Sequence, residues 1–352
     1  MSLEGKVYDY LNSAIESGRE NGMQFVVFHK DKCIVNANVG YTDFSKKEKI
    51  TEDHIFPIFS TTKGICATLV HIMAERGLID YSKKVSEYWP GFKANVTVGQ
   101  VLGMTAGLYR EQSDLIASDF LNWDYMASRM CELTPLETPG VNFTYHTMTF
   151  GWLAGNLACL ASGKDFQTLL EDEIKKPLGL NHLYVGAPKE IAEKVVDLVD
   201  EPYINDGKFI ISDKRDISKG WCRGPFYDWM NTTLGRMSIA PAASGVSNAM
   251  DIAKHYASFV GYKTPLISKK QLIKALEDNR FSTQWGYRGY GYQFSFMDND
   301  KSLDKVRFGH NGYNGSFGFC DTKNELSFAF NKNYKSDKTI NGEILNEFYK
   351  ML

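Results

Sequence analysis

No stretch of this sequence is apolar for long enough to cross a bilayer. The longest weakly polar run, Met148 to Ala161, is too short and too mixed. An apolar signal core is missing as well: the first residues carry Glu4 and Asp9, so the expected location is cytoplasmic. Neither sign of charge is in excess, with 40 Lys and Arg against 42 Asp and Glu. That balance argues against nucleic acid or a membrane surface as a partner held through bulk charge. Cysteine is sparse and scattered over Cys33, Cys66, Cys131, Cys159, Cys222 and Cys320, with no C-x-x-C and no histidine pair nearby. This spacing excludes the usual zinc frameworks, so no metal or cofactor is expected, and the thiols read as small buried groups of a reducing compartment. Internal repeats and low-complexity segments are also missing, which excludes a solenoid or a disordered array.

What remains is a chain of 352 residues, long enough for one large core or two smaller domains. Residues 4–19 place Val7, Leu11 and Ile15 on one helical stripe. The β-rich runs Gln24 to Phe28 and Cys33 to Val35 flank a short polar turn and read as a hairpin. A polar segment from Thr42 to His54 follows, and from 97 to 196 the patterns are mostly helical. Between 198 and 240, Pro and Gly mix with Tyr203, Trp221, Phe226, Tyr227 and Trp229. A long aromatic loop is uncommon unless it covers something, so this one is expected to lie over a binding cleft. Helix signals return at 247–260 and 268–277, strand signals at 290–296, 316–321 and 326–330, and a last helix at 341–351. The fold class expected is α+β. An antiparallel sheet built from 22–42 and 285–333 would be flanked by helices from both ends of the chain. The expected division is a discontinuous sheet domain, 1–59 with 240–352, and a mainly helical one, 60–239, with the active site between them.

Three stretches carry chemistry. Phe59-Ser60-Thr61-Thr62-Lys63 opens an apolar run with Ile65, Leu69, Ile72 and Met73 at amphipathic helical spacing, closed by Gly77. Ser60 then stands at a helix N-terminus, among unpaired N–H groups and the positive dipole end, and Lys63 one turn on can reach its hydroxyl. A serine becomes a nucleophile only beside a base, and a lysine with a pKa lowered by burial can be that base. A helix cap followed by a solvated lysine has the same spelling, and Ser302-Leu303-Asp304-Lys305 repeats it in a charged stretch with no helix pattern behind it. Tyr145, after Pro139-Gly140, is a second acid/base candidate, because a nearby ammonium favours the phenolate. A core tyrosine with a satisfied hydroxyl is the plain alternative. The third stretch, Phe308 to Ser316, is glycine-rich and runs into a strand. Glycines there let a ligand approach closely and edge N–H groups can hold an oxyanion, although a plain turn before a hairpin reads the same way.

Together, in this order and separation, the three stretches resemble the serine β-lactamase and penicillin-binding protein superfamily, whose motifs include Ser-x-x-Lys. Val96 to Leu108 is similar to the stretch that family usually writes "LLTHTSGL". Lys176-Pro177-Leu178-Gly179-Leu180 is similar to its "PLGM" segment, and Pro139-Gly140 with Tyr145 to Leu153 to its tyrosine box. Class C-like members, family VIII carboxylesterases and related cytosolic hydrolases resemble the chain most. The resemblance implies a β-lactamase/transpeptidase-like fold, Ser60 as nucleophile, Lys63 as its base partner and Tyr145 as second acid/base. It also implies an oxyanion hole from the backbone N–H groups of Ser60 and Tyr313, with Thr147, His310, Asn311 and Gly312 at the substrate.

Two departures bear on the substrate. Thr147 stands where the tyrosine box usually has an asparagine that helps hold the lysine and the substrate amide. His310-Asn311-Gly312 replaces the Lys-Thr-Gly or His-Thr-Gly of β-lactamases and D,D-peptidases, and His310 would grip a carboxylate only when protonated. Both changes touch groups that grip a lactam or peptide, whereas the groups that transfer an acyl group are kept. The expected partner is therefore a small ester, amide or lactam, and the expected activity a carboxylesterase forming an acyl-enzyme on Ser60. A peptidase or amidase is the near alternative, and a catalytically silent binding or scaffolding member the distant one.

Overall fold

The computed structural model describes residues 1–110, 114–200, 203–205, 208–210, 226–277, 282–283, 286–299, 301–335 and 339–352. Its centre is an eight-stranded sheet. The strands are β1 (Gly22–His29), β2 (Lys32–Gly40), β3 (Ser282–Thr283), β4 (Gly286–Arg288), β5 (Gln293–Phe296), β6 (Val306–Asn311), β7 (Phe317–Asp321) and β8 (Leu326–Lys332). Their spatial order is β2-β1-β8-β7-β6-β5-β4-β3, and every neighbouring pair is antiparallel. The expected α+β architecture is therefore observed, with strands from both ends of the chain in one sheet. The joint lies between β1 and β8, where Phe25 faces Phe330 and Val27 faces Phe328. β-Branched and aromatic side chains fill that joint, and all of β8 is buried, because helices cover both faces of the sheet.

Helix α1 (Leu3–Glu16) lays Val7, Leu11 and Ala14 on one face of the sheet, beside the C-terminal helix α6 (Ile344–Met351), which contributes Ile344 and Phe348. Between the two, Lys332 meets Glu20 at 2.6 Å with both side chains buried. The Glu20 carboxylate also accepts from Thr339 and from the Ile340 N–H, so the buried charges are hydrogen-bonded as well as paired.

On the other face lies α2 (Thr61–Glu75), where every residue from Thr61 to Met73 is buried. The amphipathic stripe expected for it is thus incomplete, because the sheet covers one side while α3 (Thr149–Ser162) and the helical region cover the other. The helix passes so close to the core that a Cβ on Gly64 would sit 2.2 Å from the Tyr256 hydroxyl on α4 (Ala249–Ala257). Helix α5 (Lys269–Leu276) precedes the last strands. A three-stranded ribbon joins Phe56–Pro57, Gly245–Ser247 and Tyr184–Val185, and so holds the chain just before Ser60. Of the aromatic segment 198–240, the stretches 201–202, 206–207 and 211–225, Trp221 included, lie outside the described residues. Its far end is core: Trp229 is buried edge-on against Phe120, 5.7 Å between ring centroids. Among the described residues no helix is long and apolar enough to cross a membrane.

Candidate active site

Ser60 is the N-cap residue of α2, but its side chain makes no capping bond. The preceding Phe59 is held at φ +46, in the left-handed region that a bulky residue enters only under constraint. Its ring is buried and meets Tyr313 edge-on at 5.8 Å. The Ser60 hydroxyl is thereby released from helix capping and turned to other partners. Lys63 Nζ donates to it at 3.1 Å, and to the carbonyl oxygens of Thr147 at 2.7 Å and Ala242 at 2.9 Å. The lysine is wholly buried, and its ammonium lies 4.8 Å from the centroid of the Tyr145 ring.

Tyr145 is half-buried. Burial pushes its phenol up to about 12, against the opposing pull of the Ser60 hydroxyl and of the Arg288 guanidinium. Ser60, Lys63 and Tyr145, which lie up to 85 positions apart in the chain, thus form one connected group of hydroxyl, ammonium and phenol. The asparagine missing at Thr147 is replaced in one of its tasks by backbone: the Thr147 carbonyl holds the lysine while its side chain is exposed.

The third stretch forms the turn between β6 and β7. Gly312 N–H donates to the Ser316 carbonyl at 2.6 Å and Gly315 N–H to the Gly312 carbonyl at 3.1 Å, which leaves Tyr313 at the tip, 60% exposed. Gly312 is required by close approach: a Cβ there would sit 2.5 Å from the Ile58 carbonyl oxygen and 3.2 Å from Thr61 Oγ1, atoms on either side of Ser60. Asn311 is tied by its amide to Gln293 Oε1 of the next strand at 2.9 Å. His310 is 1% exposed, and its Nδ1–H donates to the Asn311 carbonyl at 2.8 Å. Burial, with Lys63 and Arg288 close by, holds its imidazole well below the usual histidine range. It is therefore neutral at working pH, and the protonated His310 that would grip a carboxylate is disfavoured.

Two residues with no assigned task in the sequence reading flank Tyr145. His146 is fully buried. Its Nε2 accepts from the Leu108 N–H at 3.0 Å and its Nδ1–H donates to the Thr144 carbonyl at 2.6 Å, which ties the tyrosine segment to the 104–108 turn. Arg288 on β4 lies against two aromatic rings, its guanidinium carbon 5.2 Å from the centroid of Phe143 and 5.9 Å from that of Tyr145. Neither carries a local signal, since each acquires meaning only from elements distant in sequence.

A sheet with a helix buried against it over Thr61 to Met73, and a serine, lysine and tyrosine at the mouth of that helix, is the architecture of the β-lactamase/transpeptidase-like fold. The chain belongs to the beta-lactamase family, whose family model matches residues 9–346. It is 30% identical over 253 residues to the esterase/beta-lactamase LipL of Mycobacterium tuberculosis, a match covering 68% of this chain and 58% of that protein. It is 27% identical over 194 residues to a beta-lactamase of Escherichia coli, covering 52% of this chain and 48% of the other. The chain thus spans about half the length of these curated relatives. Among solved structures, a family VIII carboxylesterase superposes with a TM-score of 0.84 at 27% identity, covering 100% of this chain and 98% of the other.

Proposed function

We propose that the protein is a carboxylesterase that forms an acyl-enzyme on Ser60. The observation that carries this reading is the Ser60 hydroxyl bonded to Lys63 Nζ at 3.1 Å, with that Nζ 4.8 Å from the centroid of the Tyr145 ring. Lys63 as the neutral amine keeps its two N–H groups on the Thr147 and Ala242 carbonyls and its lone pair toward Ser60. With the help of Tyr145 it takes the hydroxyl proton as Ser60 Oγ bonds to the ester carbon. The bond to the alcohol then breaks, and the same pair returns the proton to the leaving oxygen. Water, deprotonated by the pair, cleaves the acyl-serine and restores it. The N–H groups of Ser60 and Tyr313 hold the oxyanion, each such donor being worth about 3 kcal/mol of barrier.

Esters are favoured over lactams and peptides because the groups that would grip a carboxylate are altered. His310 is buried and neutral, Asn311 is tied to Gln293, and Thr147 offers the lysine only its carbonyl. The solved structure named as a family VIII carboxylesterase supports the same choice. A panel of p-nitrophenyl acetate, aryl esters, amides and nitrocefin tests it. Short-chain or aryl esters should be turned over and nitrocefin weakly or not at all. Efficient nitrocefin hydrolysis beside inert p-nitrophenyl acetate would reverse the assignment. Labelling with a fluorophosphonate should add one adduct by intact mass, absent in Ser60→Ala. Because the Ser60 side chain caps nothing, that variant should keep its Tm while losing hydrolysis. Tyr145→Phe should slow turnover about a hundredfold, the usual scale for a positioned acid/base. An adduct on another serine, or an active Ser60→Ala, would overturn the reading, and a wild type that neither labels nor turns over would mark a silent binding protein.

A further inference from the structure

Arg288 is the least comfortable residue in the core. It is 7% exposed, its Nε has no hydrogen-bond partner, and no carboxylate pairs with it among the described residues. Its contacts are the faces of two aromatic rings, Phe143 and Tyr145. A guanidinium stays protonated under all working conditions, so burial cannot neutralise it as it would a lysine. An unpaired buried charge costs stability, and proteins retain such arrangements chiefly where function needs the field.

The charge lies against Tyr145, its guanidinium carbon 5.9 Å from the ring centroid, and Lys63 Nζ lies 4.8 Å from the same centroid. The other groups around that ring are Ser60, whose hydroxyl also lowers the phenol, and His310, whose ring is 6.2 Å away and neutral. His146, next in the chain, is buried and has both ring nitrogens engaged elsewhere. Two cations therefore face the phenol. Lys63 must gain and lose protons if it serves as base, and so its charge comes and goes during turnover. Arg288 cannot lose its own, which makes it the constant part of the field.

We propose that Arg288 is a positioning residue of an electrostatic kind: the fixed cation that biases Tyr145 toward its phenolate, so that Tyr145 can share the Ser60 proton near neutral pH. This deepens the esterase reading and rests on it. The bias acts through Tyr145 and not through contact with the substrate. Desolvation alone would drive the phenol further up, and the guanidinium opposes it.

The test compares Arg288→Met and Arg288→Lys with the wild type, using p-nitrophenyl acetate from pH 5 to pH 10 alongside thermal unfolding. Methionine preserves length and loses no hydrogen bond, because Arg288 makes none among the described residues. Arg288→Met should therefore unfold at the same or a higher temperature. Its kcat should fall about tenfold near neutral pH, with the rising limb of the pH profile moved about one unit to the alkaline side and KM little changed, one unit being a factor of ten. Arg288→Lys, which keeps a cation, should recover part of the rate and of the profile. A parallel loss of Tm and activity at every pH would make Arg288 structural and overturn the proposal. A change confined to KM for esters bearing a carboxylate would make it a substrate anchor and overturn it equally. Fluorophosphonate labelling of Ser60 separates the levels: a labelled, active enzyme indifferent to Arg288→Met refutes this inference alone, and an active Ser60→Ala refutes the reading beneath it.

Discussion

His146 shows how little of a site's support is written locally. The sequence places it beside Tyr145 and says no more, yet its two nitrogens bind the Leu108 N–H and the Thr144 carbonyl. Replacing it with leucine leaves both backbone groups buried and unpaired, at about 1–3 kcal/mol each. His146→Leu should therefore lower Tm and also reduce kcat by loosening Tyr145, whereas His146→Gln should retain part of both; differential scanning fluorimetry with ester kinetics would show it. An unchanged Tm for the leucine variant would mean that the clamp contributes nothing. Ser60 and Lys63, by contrast, were legible because one helical turn fixes their meeting whatever the rest of the chain does. The same spelling at Ser302 to Lys305 precedes strand β6 with no helix behind it, so no N-terminus gathers there. Arg288 and Ala242 were illegible because strand pairing and loop closure, not spacing, bring them to the site.

The elements divide in the same way. Strands β1, β2, β5, β7 and β8 were readable from their β-branched and aromatic runs and α2 from its apolar spacing, whereas the short β3 and β4 and the glycine-bearing β6 were not read as strands. Its depth was not, because periodicity cannot tell a helix half-covered from one covered all round. The ribbon Phe56–Pro57, Gly245–Ser247 and Tyr184–Val185 was missed, since two or three residues give no period. The depth of α2 has a measurable consequence at Gly64. Alanine there would gain helix propensity, about 1 kcal/mol, but its Cβ would meet the Tyr256 hydroxyl at 2.2 Å. Gly64→Ala should therefore destabilise the protein despite the propensity. Tyr256→Phe should be nearly neutral alone, since that buried hydroxyl has no partner. In the double variant the two effects should fall short of additive, with part of the Gly64→Ala loss recovered. Strict additivity in urea unfolding would show that the contact does not exist.

The whole molecule carries several buried imidazoles kept neutral. Burial lowers His71 and His146 to about 4 and His255 to about 3, and holds His310 well below its ordinary value. The unfolded chain takes these protons near pH 6.5, and the folded one refuses them until far lower. Their contribution to stability is complete above that value and is lost as pH falls from about 6.5 toward 4, by about 1.4 kcal/mol per unit for each imidazole. Urea midpoints measured at pH 7, 6 and 5 should drop with increasing steepness; a flat series would refute the assignment. A different consequence follows from the joint between β1 and β8, where Phe25 lies against Phe330 across about 300 residues of chain, a separation of the kind that slows folding. During synthesis β1 leaves the ribosome early and must wait for its partner, with an edge open to other chains until the last strands are translated. The tip bearing Tyr313 is made in the same late stretch. If the protein turns over esters as proposed, that turnover would double as a reporter that the sheet has closed, and a nascent chain halted before β8 would depend on chaperones to keep β1 from pairing elsewhere.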